Sequence, residues 1–310
     1  MKGSDQHLER ALKEYNQKIS DLEAGEGSNE EMLEALVNRS TILLLMESFT
    51  SSMEDSEDAM RLASIMESKG EHVDTGTYIK MYENHGQLLY ENDNDGMAED
   101  YGKILPKLDE VNPVNVRVRH YDDRGLIIMC ENCAEDLIDA SKLEMATQFL
   151  RKALVIIGRS RAMWYRNRKV SILYLIGQTE NDMGLKKEAL KTLKECVRIG
   201  TKMVYDYSLD DYTDVVNADI LRGDILESMG DLEGMWAAHE QAAVLLESLY
   251  ADKRIDDAEL LINLHQGIAT SMMNAGRIEL AEKHLLRAIR LGIPGMKEAM
   301  DEIADRYDLN

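Results

Sequence analysis

Residues 171–200, SILYLIGQTENDMGLKKEALKTLKECVRIG, carry two apolar patterns of helical period joined at Met183-Gly184. Small residues stand where two helices would have to approach closely: Gly177 in the first pattern, Ala189 and Cys196 in the second. A stretch laid out in this way predicts a helical hairpin, and the layout recurs. Gly86 and Ala98, Ala134 and Ala146, Gly177 and Ala189, and Ala269 and Ala281 are each twelve positions apart, with Gly223 and Met235 as a fifth pair. Gly184, Gly230 and Gly276 fall at the turns, where glycine adopts the left-handed conformation that stops a helix.

Taking Ala59, Ala98, Ala146, Ala189, Met235 and Ala281 as the openings of second helices gives steps of 39, 48, 43, 46 and 46 residues. The pattern resembles the tetratricopeptide repeat (TPR), whose standard unit has about 34 residues. The longer steps are similar to the long-unit type found in kinesin light chains and bacterial peptide-sensing regulators. The resemblance covers roughly residues 30 to 292 and implies an all-α, right-handed TPR-like alpha-solenoid of about six hairpins with additional N- and C-terminal helices. On this reading residues 1–310 form a single superhelical domain: 1–28 an N-terminal helix and loop, 30–292 the repeats, 294–310 a C-terminal capping helix. In the first hairpin, a helix over residues 30–47 is followed by a long connection at 49–55, and the second helix opens at Ser56. Asn112-Pro113 marks an early start for a later first helix. The signature tryptophan is absent, and Pro106 falls inside a second helix, where its ring opposes the carbonyl of Gly102.

Composition agrees with helix. Two Phe, two Trp and three Pro are too few for a typical β-sandwich, while 19 Met accompany abundant helix-forming residues. A formal net charge of -22 repels phosphate backbones and anionic lipid, so the expected partners include neither nucleic acid nor membrane. The opening MKGSDQHLER has no apolar signal-peptide core, and three cysteines make no disulfide framework; both features predict a cytoplasmic protein.

Nothing in the sequence supports catalysis or a cofactor: there is no phosphate loop, no HExxH and no nucleophile elbow. Cys130-x-x-Cys133 has a metal-like spacing but no second pair, and both cysteines fall on an apolar helix face, so buried core is the expectation and the metal assignment is none.

In the resembled family the inner surface is lined by first helices along a stripe that advances four residues at a time. Projected from the small residues, that stripe contains Glu83, Gln87 and Glu91, then Glu131, Glu135 and Asp139, then Tyr174, Gln178 and Asp182, then Asp224, then Gln266. Asn38, Asn84 and Asn132 stand two residues before small positions, and Asn217 and Asn263 lie on later first helices. An Asn side chain offers both a donor and an acceptor, so such a row can pair with peptide backbone without reading sequence. These residues predict an acidic groove that captures an extended, basic protein or peptide segment.

Between Glu144 and Glu180 there is no acid, and Arg159, Arg161, Arg166, Arg168 and Lys169 surround Trp164 and Tyr165. This island is a candidate anion or interface site, with Asp122 and Asp123 as the expected anions. It also frames the alternative function, a structural subunit acting through self-association as a homodimer.

Overall fold

The computed structural model describes residues 2–25, 27–92, 94–111, 118–158, 160–209, 211–255 and 258–291. The capping helix expected at 294–310, the Asn112-Pro113 start and Arg159 lie outside them. Backbone contacts separate two compact units, Met1–Ser160 and Arg161–Asn310.

Unit 1 begins with α1 (Lys2–Glu23), which packs on α2 (Asn29–Leu45). Three hairpins follow: α2 with α3 (Phe49–Ser68), α4 (Thr75–Glu91) with α5 (Met97–Glu110), and α6 (Asp123–Asp139) with α7 (Leu143–Ile157). Unit 2 holds three more: α8 (Met163–Asp182) with α9 (Lys186–Tyr205), α10 (Thr213–Ser228) with α11 (Leu232–Ala251), and α12 (Glu259–Asn274) with α13 (Ile278–Arg290). Within each unit successive hairpins stack, α2 on α4, α4 on α6 and α8 on α10. The described residues therefore form an all-α repeat whose first (A) and second (B) helices alternate.

Several starts and stops have a local cause. Ser28 and Glu31 form a reciprocal capping box at the head of α2, and Asp74, Asp122 and Asp231 accept backbone N–H bonds at the heads of α4, α6 and α11. Gly184, Gly230 and Gly276 end their A helices with φ of 76°, 81° and 75°. The first and third hairpins turn without glycine, placing Glu47 and Ser141 in the same region at 58°.

The twelve-residue spacing brings small residues against the partner helix. A side chain at Gly177 would strike Leu193, one at Gly86 would strike Tyr101, and one at Gly223 would strike His239. The first hairpin follows the same rule with a different pair. Ser52 donates to the Ser40 carbonyl at 2.8 Å, and both serines are buried. The expected connection at 49–55 is therefore helical, α3 begins at Phe49, and Ala59 takes the second small position seven residues on. Ser52 is twelve positions after Ser40 and 46 before Ala98, so the short first step of 39 disappears. The misreading arose because Thr50, Ser51 and Ser52 read locally as a polar loop, whereas two hydroxyls satisfy each other inside the hairpin.

Candidate functional site

The predicted stripe has different fates in the two units. In unit 1, Asn38 folds back onto the Glu34 carbonyl of its own helix at 2.7 Å. Asn84 is 1% exposed and donates to the Val37 carbonyl at 3.2 Å and to Thr41 Oγ1 at 2.8 Å, tying α4 to α2. It is an interior strut rather than a surface contact, because its short amide reaches backbone on the preceding hairpin. Glu131 is also buried, at 6% exposure. Gln87, Asn132 and Glu135 are exposed. Asp139 accepts the Tyr90 hydroxyl at 2.8 Å across α4 and α6.

Glu83 is covered by its own chain. Residues 118–121 run back to α4, where the Tyr121 hydroxyl donates to Glu83 and Lys80 pairs with the same carboxylate at 2.8 Å. Arg119 pairs with Glu30 at 3.2 Å and Glu34 at 3.0 Å on α2. Tyr121 is 8% exposed, and burial together with the Glu83 charge pushes its hydroxyl pKa well above the usual range. Gly76 admits this segment, since a Cβ there would meet the Arg119 backbone. The basic-aromatic stretch occupying the acidic face of unit 1 is thus Arg119-His120-Tyr121, part of the same polypeptide.

In unit 2 the face is open. Tyr174, Gln178, Asn181 and Asp182 of α8 and Asn217, Ile220, Leu221 and Asp224 of α10 line a cleft of about 360 Å³. Four predicted residues, Tyr174, Gln178, Asn217 and Asp224, are brought together here. Two carboxylates and no cation line it. Asp224 lies 3.3 Å from His239 Nε2 yet remains exposed, at 59% of its side chain. Burial chiefly, and then the nearby charges of Asp214 and Asp182, raise the Tyr174 pKa. Asn181 was not predicted; it stands three residues after Gln178, one turn along the same helix, and that spacing was the available signal. Farther along, Thr270 and Asn274 of α12 join Glu227 of α10 around a second depression of about 540 Å³. Asn263 is exposed and Gln266 half-buried on α12, outside the residues lining either cavity.

The basic island divides between the units. Arg151 and Lys152 lie on α7, where Lys152 pairs with Asp109. Arg161 is exposed, Arg166 and Lys169 are half-buried, and Arg168 sits 5.8 Å from the Trp164 ring centre. Asp122 caps α6 by accepting from the Gly125 amide at 2.7 Å.

Cys130 and Cys133 are buried, and burial pushes both thiols up. Among the described residues no group of three or more His, Cys, Asp or Glu could hold a metal ion, and no helix is long and apolar enough to cross a membrane.

No family model matches this chain, and no curated protein does. Solved structures do. A crystal structure of MamA is 18% identical over 69% of this chain and 92% of its own, with a TM-score of 0.43. BtubC from P. vanneervenii is 18% identical, covering 83% of this chain and 92% of its own at a TM-score of 0.47. YrrB, described as a TPR protein with an unusual peptide-binding site, is 12% identical, covering 71% and 91% at 0.43. The repeat is nevertheless legible in the chain's own geometry, with small A-helix residues seated on B helices at a twelve-residue spacing and, in all hairpins but the one opened by Ala98, a second small residue seven further on: its hairpins are tetratricopeptide-like.

Proposed function

We propose that this protein is a non-catalytic scaffold that binds an extended, basic protein or peptide segment through the α8–α10 cleft. The observation that carries the reading is the state of its polar groups. The side chains of Tyr174, Gln178 and Asn217 make no hydrogen bond to another described residue, and the charges around them, Asp182 and Asp224 with Asp214 behind, are acidic. Asn217 and Gln178 each present a donor and an acceptor at the spacing of neighbouring helices, which suits backbone pairing along an extended chain. Carboxylates beside them favour Lys or Arg side chains and raise the encounter rate with basic segments. A polar, solvent-filled cleft of this size binds weakly at any single position, so affinity accumulates over several residues.

The test is capture of synthetic extended peptides by the full chain, measured by fluorescence anisotropy. An Arg/Lys-rich peptide is expected to bind, and its Glu-substituted counterpart is not. The double variant Asp182→Lys with Asp224→Lys should weaken binding about tenfold or more, because it reverses both lining charges. Equal affinity of the variant and the parent removes the charge-selection mechanism.

A further inference from the structure

A second groove lies on the other side of α10, away from the A-helix cleft. In unit 1 the neighbouring B helices α5 and α7 meet through Tyr101 and Phe149, whose rings pack edge to face at 6.1 Å. In unit 2, α9 and α11 instead flank a trough of about 660 Å³ with α10 at its floor. Its apolar surface is carried by Tyr205 and Val244, 51% and 42% exposed, with Val197 beneath them at 9%. Leu245 closes the base at 2% exposure.

Four cations, Lys194, Arg198, Lys202 and Arg222, line the groove against two carboxylates, Asp206 at one end and Asp219 at the floor, in a chain whose net charge is -22. Lys194, Arg198 and Lys202 recur every four residues and so form one stripe along α9, and Arg222 rises from the floor. Arg198 is held by Glu195 through two bonds of 2.7 Å, and Arg222 by buried Asp219 and by Gln241 at 3.3 Å. Lys194 and Lys202 pair with no described residue, so two positive charges face solvent beside apolar walls. Burial raises the Asp219 carboxyl to about 6, an indication of how dry the floor is.

We infer that this groove docks an amphipathic, acidic helix of a partner protein, its apolar stripe against Val197, Tyr205 and Val244 and its carboxylates toward Lys194 and Lys202. Helix is favoured over extended chain by the backbone. The walls are helices whose N–H and C=O groups are already paired, and the lining amide, Gln241, is engaged by Arg222, so unlike the A-helix cleft with Gln178 and Asn217 this groove leaves the polar groups of an extended segment unpaired, whereas a helix arrives with them satisfied. Lys194 to Tyr205 spans about 18 Å at about 1.5 Å per residue, room for three turns. An acidic partner is favoured by the charge of the rim, and a nucleic acid is disfavoured by the exposed apolar walls and by the charge of the rest of the chain. This site is independent of the peptide cleft, from which it is separated by α10.

The probe is a fluorescein-labelled, side-chain-stapled helical peptide of 18 residues with Leu at i, i+3, i+4 and i+7 and Glu flanking that stripe. A second peptide carries Lys in place of Glu. The full chain should bind the first and not the second. Lys194→Glu with Lys202→Glu should reduce affinity roughly tenfold or more, and Val244→Asp comparably, each with an unchanged helical circular-dichroism spectrum. Asp182→Lys with Asp224→Lys should leave this binding intact, which separates it from failure of the peptide cleft. Absence of binding, equal binding of the two peptides, or indifference to the lysine reversals overturns the assignment. Complete displacement by pyrophosphate together with indifference to Val244→Asp would show a small-anion site instead. A dimer abolished by the lysine reversals, with no peptide binding, would show that a second copy occupies the groove.

Discussion

The A-helix faces of the two units obey the same hairpin rule and treat their polar residues in opposite ways. In unit 1, Asn84 is consumed by the Val37 carbonyl and Thr41, Glu83 by Lys80 and Tyr121, and Asp139 by Tyr90. In unit 2, Tyr174, Gln178 and Asn217 surround an open cleft. A polar side chain on the inner face of a repeat is therefore a binding candidate only after the chain's own segments have had their claim on it. The difference originates in the connection before α6. Residues 118–121 fold back over α2 and α4, and Gly76 leaves space for their backbone.

The largest expected effect comes from removing the group that closes unit 1. Tyr121→Ala takes out a buried ring and leaves Glu83 and Lys80 facing a void, at a cost of about 3 kcal/mol or more. Hydrogen exchange should show lost protection in α4 and α6 and little change in α8 to α11. Equal loss in both units would mean that they do not fold as separate bodies. Next in size is a matched pair of asparagines. Asn84→Ala removes both hydrogen bonds that tie α4 to α2 and leaves a small buried gap, although the Val37 carbonyl keeps the Thr41 hydroxyl at 2.9 Å, and should cost about 1–2 kcal/mol in urea unfolding. Asn217→Ala touches a solvated cleft and should stay within about 0.5 kcal/mol. Similar losses at the two positions would erase the distinction between strut and site.

Most of the fold was legible because it rests on spacing. Gly177 must meet Leu193 and Gly86 must meet Tyr101, and any reader of helical period finds those positions. The first hairpin was misread because its small pair is Ser40 and Ser52, and serine signals loop and cap as readily as close packing. The lining of the candidate cleft was legible in part. Tyr174, Gln178 and Asp224 follow from a four-residue advance along A helices, and Asn217 from its position on the next one. The burial of Asn84 and the covering of Glu83 were not, because both depend on partners 47 and 38 residues away in sequence. Periodicity reports which face of a helix is wet in its own hairpin and is silent about which loop returns to cover it.

Unit 2 has its own inward-facing polar cluster, and acid should reveal it. His265 and His284 are buried with Nδ1 atoms 3.1 Å apart, His265 contacts Glu247 at 3.1 Å and His284 contacts Glu240 at 3.2 Å. Arg287 pairs with Glu240. Burial lowers both histidine pKa values despite the two carboxylates, with Arg287 adding to the effect, and for His284 so does the neighbouring imidazole. A histidine whose folded pKa is depressed takes up its proton more readily when unfolded. Stability from this pair is complete above about pH 6.5 and is lost as pH falls through the unfolded and then the folded values. Amides of α12 and α13 should therefore lose exchange protection between pH 7 and 5 ahead of those in α8 and α9. His265→Gln should flatten that response; a pH profile unchanged by the substitution would place the titrating group elsewhere.

The smallest effect separates the two anchors of the returning segment. Arg119 pairs with Glu30 and Glu34, but its side chain is 38% exposed, and ion pairs at that exposure contribute about 0–1 kcal/mol. Arg119→Ala should thus change stability far less than Tyr121→Ala, and what it does change should diminish further as salt screens the pairs. If instead it matches the tyrosine variant, the segment is held by charge rather than by the buried ring. A basic peptide should then compete for Glu30 and Glu34, and the closed face of unit 1 would become a second candidate binding surface like the one proposed in unit 2. If it is small, as burial implies, the returning segment is a permanent part of the fold, and the proposed ligand capture by A-helix faces is confined to unit 2.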